Sequence, residues 1–305
     1  MPGEEPRLPG RLHPSAMFPA RRGDIHVRPV RLASGITLRV AESGEASNAP
    51  VLLVHGWGAS LYMWRDWFAP LAAGGRHALA VDLPGHGLSD KPPEPHHYQL
   101  PAMSKMLREL LDALALDSVD IVAQSMAGTI ALELIAEGEP RIRRLVLVNP
   151  AFLGRIRMAR LGRMLSPLAP DWLLPRLLFR AVIARTHRMV YGDASRLTRE
   201  SDDEHWAPSQ FPSYARAMRR LVREFDFARP PLPRLVQRFR DRVIPVLFVL
   251  GTRDRLVLDA ARYAAALSDA VPHVRVRYVV GGGHAVNEER PEEVVPAVLE
   301  FLGSQ

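Results

Sequence analysis

The sequence has no cysteine. Disulfides, thiol nucleophiles and cysteine-ligated metals are therefore excluded, while the redox compartment stays open. Lysine is nearly as scarce, at positions 91 and 105 only, so the formal charge of +7 rests on arginines interspersed with acids. That distribution matches a compositional bias better than a phosphate-binding stripe, and no basic patch with interleaved aromatics accompanies it. No nucleic-acid partner is expected. Long hydrophobic runs are missing too: no segment approaches the roughly 18 apolar residues that a membrane span needs. The opening "MPGEEPRLPGRLHPSAMFPARRG" lacks the apolar stretch of a signal peptide, so residues 1–23 are expected to form a flexible leader on a cytoplasmic protein. Metal-ligand spacings and glycine-rich phosphate loops are also wanting, and no metal or cofactor is expected.

What remains is an enzyme-sized globular composition, 305 residues with 47% apolar and 24% charged side chains, enough for one large core. The stretches "IHVRPVRL" and "ITLRVAE" alternate like a half-exposed antiparallel pair. By contrast 50–56, 77–85, 119–125, 143–150 and 244–251 are short continuous apolar runs, the pattern of strands covered on both faces. A further strand is read in "VRVRYVV". Helical patterns fall at 60–73, 99–116, 126–138, 258–270 and 291–303, the last opened by Pro291 with Glu292 and Glu293 in its first turn. The expected fold is α/β, a mostly parallel eight-stranded sheet flanked by helices. One interval breaks the alternation. The chain from 151 to 243 offers no strand, and 151–232 is expected to be an inserted helical cap, with 233–242 returning to the core as a helix. The core is then 24–150 with 233–305.

In "DIVAQSMAGTIALEL" an apolar run meets Ser125 and continues with helical spacing. Reactive groups in such sheets sit at the carboxyl ends of strands. A serine on a sharp strand-to-helix turn, with small Ala123 and Ala127 where the usual Gly-x-Ser-x-Gly pattern has glycine, presents its hydroxyl clear of the backbone. On these residues alone, a serine capping the helix N-terminus fits equally well.

Four further stretches bear on that choice. "LLVHGWGAS", "VDLPGHGLSDKP" and the pair "GTRDRLV" and "GGGHAVNEERPEEV" resemble, in order, the oxyanion loop, the following strand-loop and the acid and histidine loops of the α/β-hydrolase superfamily. The resemblance covers about 30–150 and 233–303, in the order nucleophile, acid, histidine. It implies a serine hydrolase of the capped, esterase-like branch. Ser125 would be the nucleophile, His284 on its three-glycine loop the base, and Asp254, three residues beyond a strand, the acid, with Asp259 the competing carboxylate. The backbone amides of Trp57 and Met126 would form the oxyanion hole, and Gly56, Trp57 and Met126 would line the substrate site. His55 and His86 fall in turns where the family uses histidine structurally.

A serine at 125, where epoxide hydrolases and haloalkane dehalogenases of the superfamily carry a carboxylate, directs the expectation to acyl transfer. The expected substrate is a small apolar carboxylic ester. Carbon–carbon bond or lactone hydrolysis by the same residues, and a non-catalytic accessory protein of the same fold, are the alternatives. The segment 154–192 combines Leu, Met and Phe with eight Arg and a single acid, Asp171. That is ordinary for a lid packed on a core; the sharper alternative is a surface that settles on an anionic membrane or admits an acyl chain.

Overall fold

The computed structural model describes residues 12–154, 156, 163–164, 178 and 180–304. The expectations placed on 1–11 and on most of 155–179 lie outside the described residues.

The described residues form one eight-stranded sheet. Its strands are β1 (His26–Arg31), β2 (Thr37–Ser43), β3 (Ala49–Val54), β4 (Arg76–Val81), β5 (Val119–Gln124), β6 (Ile142–Val148), β7 (Val246–Gly251) and β8 (Val274–Val279). Their order across the sheet is β1-β2-β4-β3-β5-β6-β7-β8. β2 is antiparallel to both its neighbours, and all pairs from β4 to β8 are parallel.

Side chains alternate across each strand, and both sets are apolar in the central strands because both faces are covered. Leu52, Val54, Ile121, Leu145, Leu147 and Phe248 face a cluster supplied by α2 (Leu100–Ala113), α3 (Met126–Ala136), α7 (Leu232–Asp241) and α8 (Ala260–Ala270). Val51, Leu53, Val122, Val146 and Val249 face a second cluster, closed by α1 (Phe68–Ala73) and α10 (Pro291–Gly303). The expected helix 60–73 is two pieces, a 3-10 turn at Leu61–Trp64 and then α1. Pro70 accounts for the break: in a continuous helix its ring would clash with the carbonyl four residues back, whereas near a helix start it is tolerated.

Between β6 and β7 the described insertion comprises α4 (Arg180–Val190), α5 (Arg199–Trp206) and α6 (Pro212–Glu224). It caps the carboxyl edge of the sheet. The Tyr214 hydroxyl of α6 donates to the Gly58 carbonyl at 3.3 Å, just beyond β3. α7 then brings Leu235 and Phe239 into the core. The chain from residue 12 onward is not a loose leader. Met17 is 2% exposed, Phe18 packs edge-on against Tyr62, its amide donates to Glu204 Oε1 at 2.9 Å, and Gln210 donates to the Leu12 carbonyl at 2.7 Å. Two adjacent apolar side chains in a Pro- and Arg-rich stretch are enough to pin it.

Candidate active site

Every residue named for the site follows a parallel strand at the same edge of the sheet. Ser125 follows β5 directly and takes φ +52°, ψ −114°, a sparsely populated conformation for a residue with a Cβ. The neighbouring backbone over-determines it. Its amide donates to the Val148 carbonyl at 3.0 Å, and its carbonyl accepts from the Gly128 and Ala151 amides, each at 3.0 Å. The alternative of a capping serine fails on geometry, since the side chain makes no capping bond. The hydroxyl instead meets His284 Nε2 at 2.8 Å.

His284 lies on the loop after β8, and its other ring nitrogen, Nδ1, stands 2.8 Å from Asp254 Oδ2. An ionised carboxylate can only accept, so Nδ1 carries the proton and the Nε2 lone pair faces the serine hydroxyl. The second carboxylate oxygen, Oδ1, accepts from the Leu256 and Val257 amides at 2.7 and 3.1 Å. Burial works to raise the Asp254 carboxyl, but the facing His284 and these hydrogen bonds outweigh it and hold the group below its usual range. The carboxylate facing His284 is thus Asp254 and not Asp259. Asp259 stands at the N-terminal boundary of α8 with φ +70°.

The loop after β3 carries Gly56 and Trp57. A Cβ at Gly56 would stand 2.3 Å from Gln124 Oε1 and 2.8 Å from the Ser125 Cβ, so the loop backbone reaches the serine only because residue 56 has no side chain. His55 holds the loop from behind. Its Nε2 accepts from the Leu83 amide at 3.0 Å and its Nδ1 donates to the Gly56 carbonyl at 2.7 Å, and burial keeps the imidazole neutral by lowering its pKa. Asp82, fully buried, takes the Leu61 and Leu88 amides at 2.7 and 2.9 Å. The Trp57 ring is 39% exposed and lies 6.5 Å from Phe227. Met126, by contrast, sends its side chain into the main core cluster, leaving its backbone at the start of α3.

Sequence reasoning missed three polar residues of the site. Asn149, at φ +42°, donates from Nδ2 to the Gly283 and His284 carbonyls at 2.9 Å each and accepts the Gly251 amide on Oδ1 at 3.0 Å. Gln124 Nε2 also reaches the His284 carbonyl, at 3.1 Å. Glu289 accepts the Gly283 amide at 2.7 Å. The one available signal was Asn149 preceding a proline at a strand end, a residue that tolerates left-handed backbone.

The arrangement can abstract a proton from the serine hydroxyl, and Ser125 itself is 7% exposed. A separate cleft of about 770 Å³ opens between the N-terminal arm and α5, beside Phe18, Tyr62 and Arg199, away from the serine. Among the described residues no group of three or more His, Asp or Glu could hold a metal ion, and no helix is long and apolar enough to cross a membrane.

A family model described as the alpha/beta hydrolase fold matches residues 49–291. An uncharacterised protein of Mycobacterium tuberculosis is 27% identical over 303 residues, covering 91% of this chain and 84% of its own. A 2-hydroxy-6-oxo-2,4-heptadienoate hydrolase of Pseudomonas putida is 37% identical over 120 residues, 39% of this chain and 42% of its own. Among solved structures, a hydrolase from Pseudomonas aeruginosa superposes with a TM-score of 0.71 at 23% identity, covering 92% of this chain and 99% of its own. At that identity the likeness concerns the fold alone.

Proposed function

Because this chain belongs to the alpha/beta hydrolase fold family, we propose that it is a serine hydrolase cleaving carboxylic esters of apolar acyl groups. The observation that carries this reading is the unbroken relay of 2.8 Å contacts from Asp254 Oδ2 through the His284 ring to Ser125 Oγ. Ser125 Oγ attacks the ester carbonyl as its proton passes to His284 Nε2, and Asp254 stabilises the imidazolium. The Trp57 and Met126 amides receive the oxyanion. Collapse of the tetrahedral intermediate breaks the carbon–oxygen bond, and His284 returns the proton to the departing alcohol. Water, deprotonated by the same nitrogen, then releases the acid and restores the serine.

A hydroxyl rather than a carboxylate at position 125 argues against attack on a carbon–halogen bond or an epoxide, although relatives named haloalkane dehalogenase and epoxide hydrolase occur. A second reading, carbon–carbon bond hydrolysis of a conjugated keto acid, is favoured by the likeness to the heptadienoate hydrolase. Measuring kcat/KM for p-nitrophenyl esters from acetate to palmitate, beside a vinylogous diketone, separates the two. Activity should rise with chain length, each buried methylene contributing up to about 0.8 kcal/mol, and then fall where the pocket ends. If no ester turns over while a fluorophosphonate still labels Ser125, the carbon–carbon reading takes its place; absence of both labelling and turnover would leave a non-catalytic protein. Repeating the series with anionic vesicles tests contact of the cap with a membrane.

A further inference from the structure

The turn that leaves α4 is seated directly on the loop that carries His284. The Ala285 amide donates to the Val190 carbonyl at 3.2 Å. A Cβ on Gly192 would stand 2.1 Å from the Gly281 carbonyl oxygen, and one on Gly283 would stand 2.2 Å from the Gly192 nitrogen, so the two backbones touch with no side chain between them. Into this junction projects the buried carboxylate of Glu289, from the short helix α9 (Val286–Glu289). Its Oε1 accepts the Asp193 amide at 2.7 Å, and its Oε2 accepts both the Gly192 amide at 3.0 Å and the Gly283 amide at 2.7 Å. Arg196, also from the insertion, donates to the Glu289 carbonyl at 2.8 Å. The preceding residue grips the cap as well: Glu288 Oε1 lies 2.8 Å from His205 Nε2 of α5 and 2.6 Å from Arg65 of the core.

A buried carboxylate is tolerable only while charge-assisted hydrogen bonds replace its hydration. Two of the three amides on Glu289 belong to the cap turn and the third immediately precedes His284. Lifting the turn removes both cap donors together and leaves the buried charge with the Gly283 amide and the Arg290 guanidinium 4.0 Å away, so α9 and the Gly283 amide must rearrange or the turn must stay. Docking of the turn and the backbone position of His284 are thereby parts of one equilibrium.

We propose that Glu289 is a positioning residue that ties the 190–193 turn of the cap to the His284 loop, so that the Ser125–His284–Asp254 relay is complete only when that turn is docked. The proposal rests on His284 being the base for Ser125. Neither the fold nor the relay by itself requires a carboxylate at 289, since the relay is formed by other residues.

The test compares the full chain with E289Q, G192A and the double variant. E289Q keeps the shape but one carbonyl oxygen must replace two, and its amide protons face a backbone N–H. G192A leaves Glu289 intact and forces the turn off the loop by overlap with the Gly281 carbonyl. Each should lower kcat and the fluorophosphonate labelling rate of Ser125 by roughly 10- to 100-fold, the range for a displaced catalytic group, with KM within about twofold. The low-field proton NMR resonance of the His284–Asp254 hydrogen bond should shift or broaden in both. In the double variant the losses should not multiply. Unchanged kcat, labelling and resonance with only a lower melting temperature would make Glu289 a structural staple, and multiplying losses would make cap and loop independent; either overturns the proposal. Should E289Q fail to fold, G192A decides alone. If the parent is not labelled at all, the serine-hydrolase reading fails, while the resonance in the variants still reports the coupling.

Discussion

The side-chain amide of Asn149 donates to the His284 carbonyl at 2.9 Å, from the end of the strand next to the one that precedes Asp254. With its second proton on the Gly283 carbonyl and its oxygen on the Gly251 amide, Asn149 staples β6, β7 and the histidine loop at one point. Asn149→Asp keeps the size but turns a double donor into an acceptor facing two carbonyls. It should destabilise the fold by about 1–3 kcal/mol and lower kcat. Thermal melting and ester kinetics check this; parent-like values for both would show that the staple is dispensable.

The strained backbone of Ser125 separates function from stability. Ser125→Ala should lose several orders of magnitude in turnover with little change in melting, because alanine inherits the same φ. Ser125→Gly should be equally inactive but melt higher than Ser125→Ala, since relief of a left-handed residue is worth on the order of 1 kcal/mol. His284→Ala should be as inactive as Ser125→Ala, and combining the two should add nothing. Calorimetry of the two serine variants decides the stability half, and identical melting temperatures would remove the strain argument.

Trp57 divides into an amide and a ring. Trp57→Ala retains the backbone donor, so kcat should hold while KM for long-chain esters rises, by roughly tenfold at most given a partly exposed ring. A fall in kcat with unchanged KM would mean that the ring, not the peptide, shapes the oxyanion site.

Glu204 gives the N-terminal arm a pH dependence. Burial raises its carboxyl from an ordinary 4.5 to about 7, against the lowering effects of the Phe18 amide and Arg39. The folded state therefore holds the proton more tightly than the unfolded one. Its contribution is fully present below pH 4.5 and is lost as pH rises through about 7, amounting to no more than about 3 kcal/mol. Glu204→Gln, which can still accept the Phe18 amide, should flatten the change in urea stability between pH 5 and pH 8. An unchanged slope would assign the dependence to other groups.

The meeting of Ser125, His284 and Asp254 was legible in the chain because each follows a strand whose apolar run ends abruptly, at Gln124, Gly251 and Val279, and chemistry-bearing side chains cluster at such ends. The residues that hold them were not. Asn149, Gln124 and Glu289 bond to backbone atoms far away in sequence, and a backbone partner leaves no trace in the identity of the residue that provides it. The packed arm at Met17 and Phe18 was hidden for a different reason: its surroundings read as a solvated tail, and only contact with Tyr62 and Phe68 gives the Phe18 ring somewhere to go. Helix 60–73 failed between Trp64 and Phe68, in the turn ahead of Pro70, where periodicity continued but a proline ring bars a continuous helix.

Ser125 and His284 are separated by 159 residues, with the whole insertion between them, and β5 lies in the middle of the sheet whereas β8 forms its edge. A chain emerging from the ribosome thus exposes its serine long before the histidine exists, and the hydroxyl stays inert until the last strand has docked. Closing that long loop comes late in folding, after the local helices and nearer strand pairs. In refolding, reactivity toward a serine probe should return after the far-UV signal of the sheet and helices, making acylation a clock for completion of the chain rather than for its collapse.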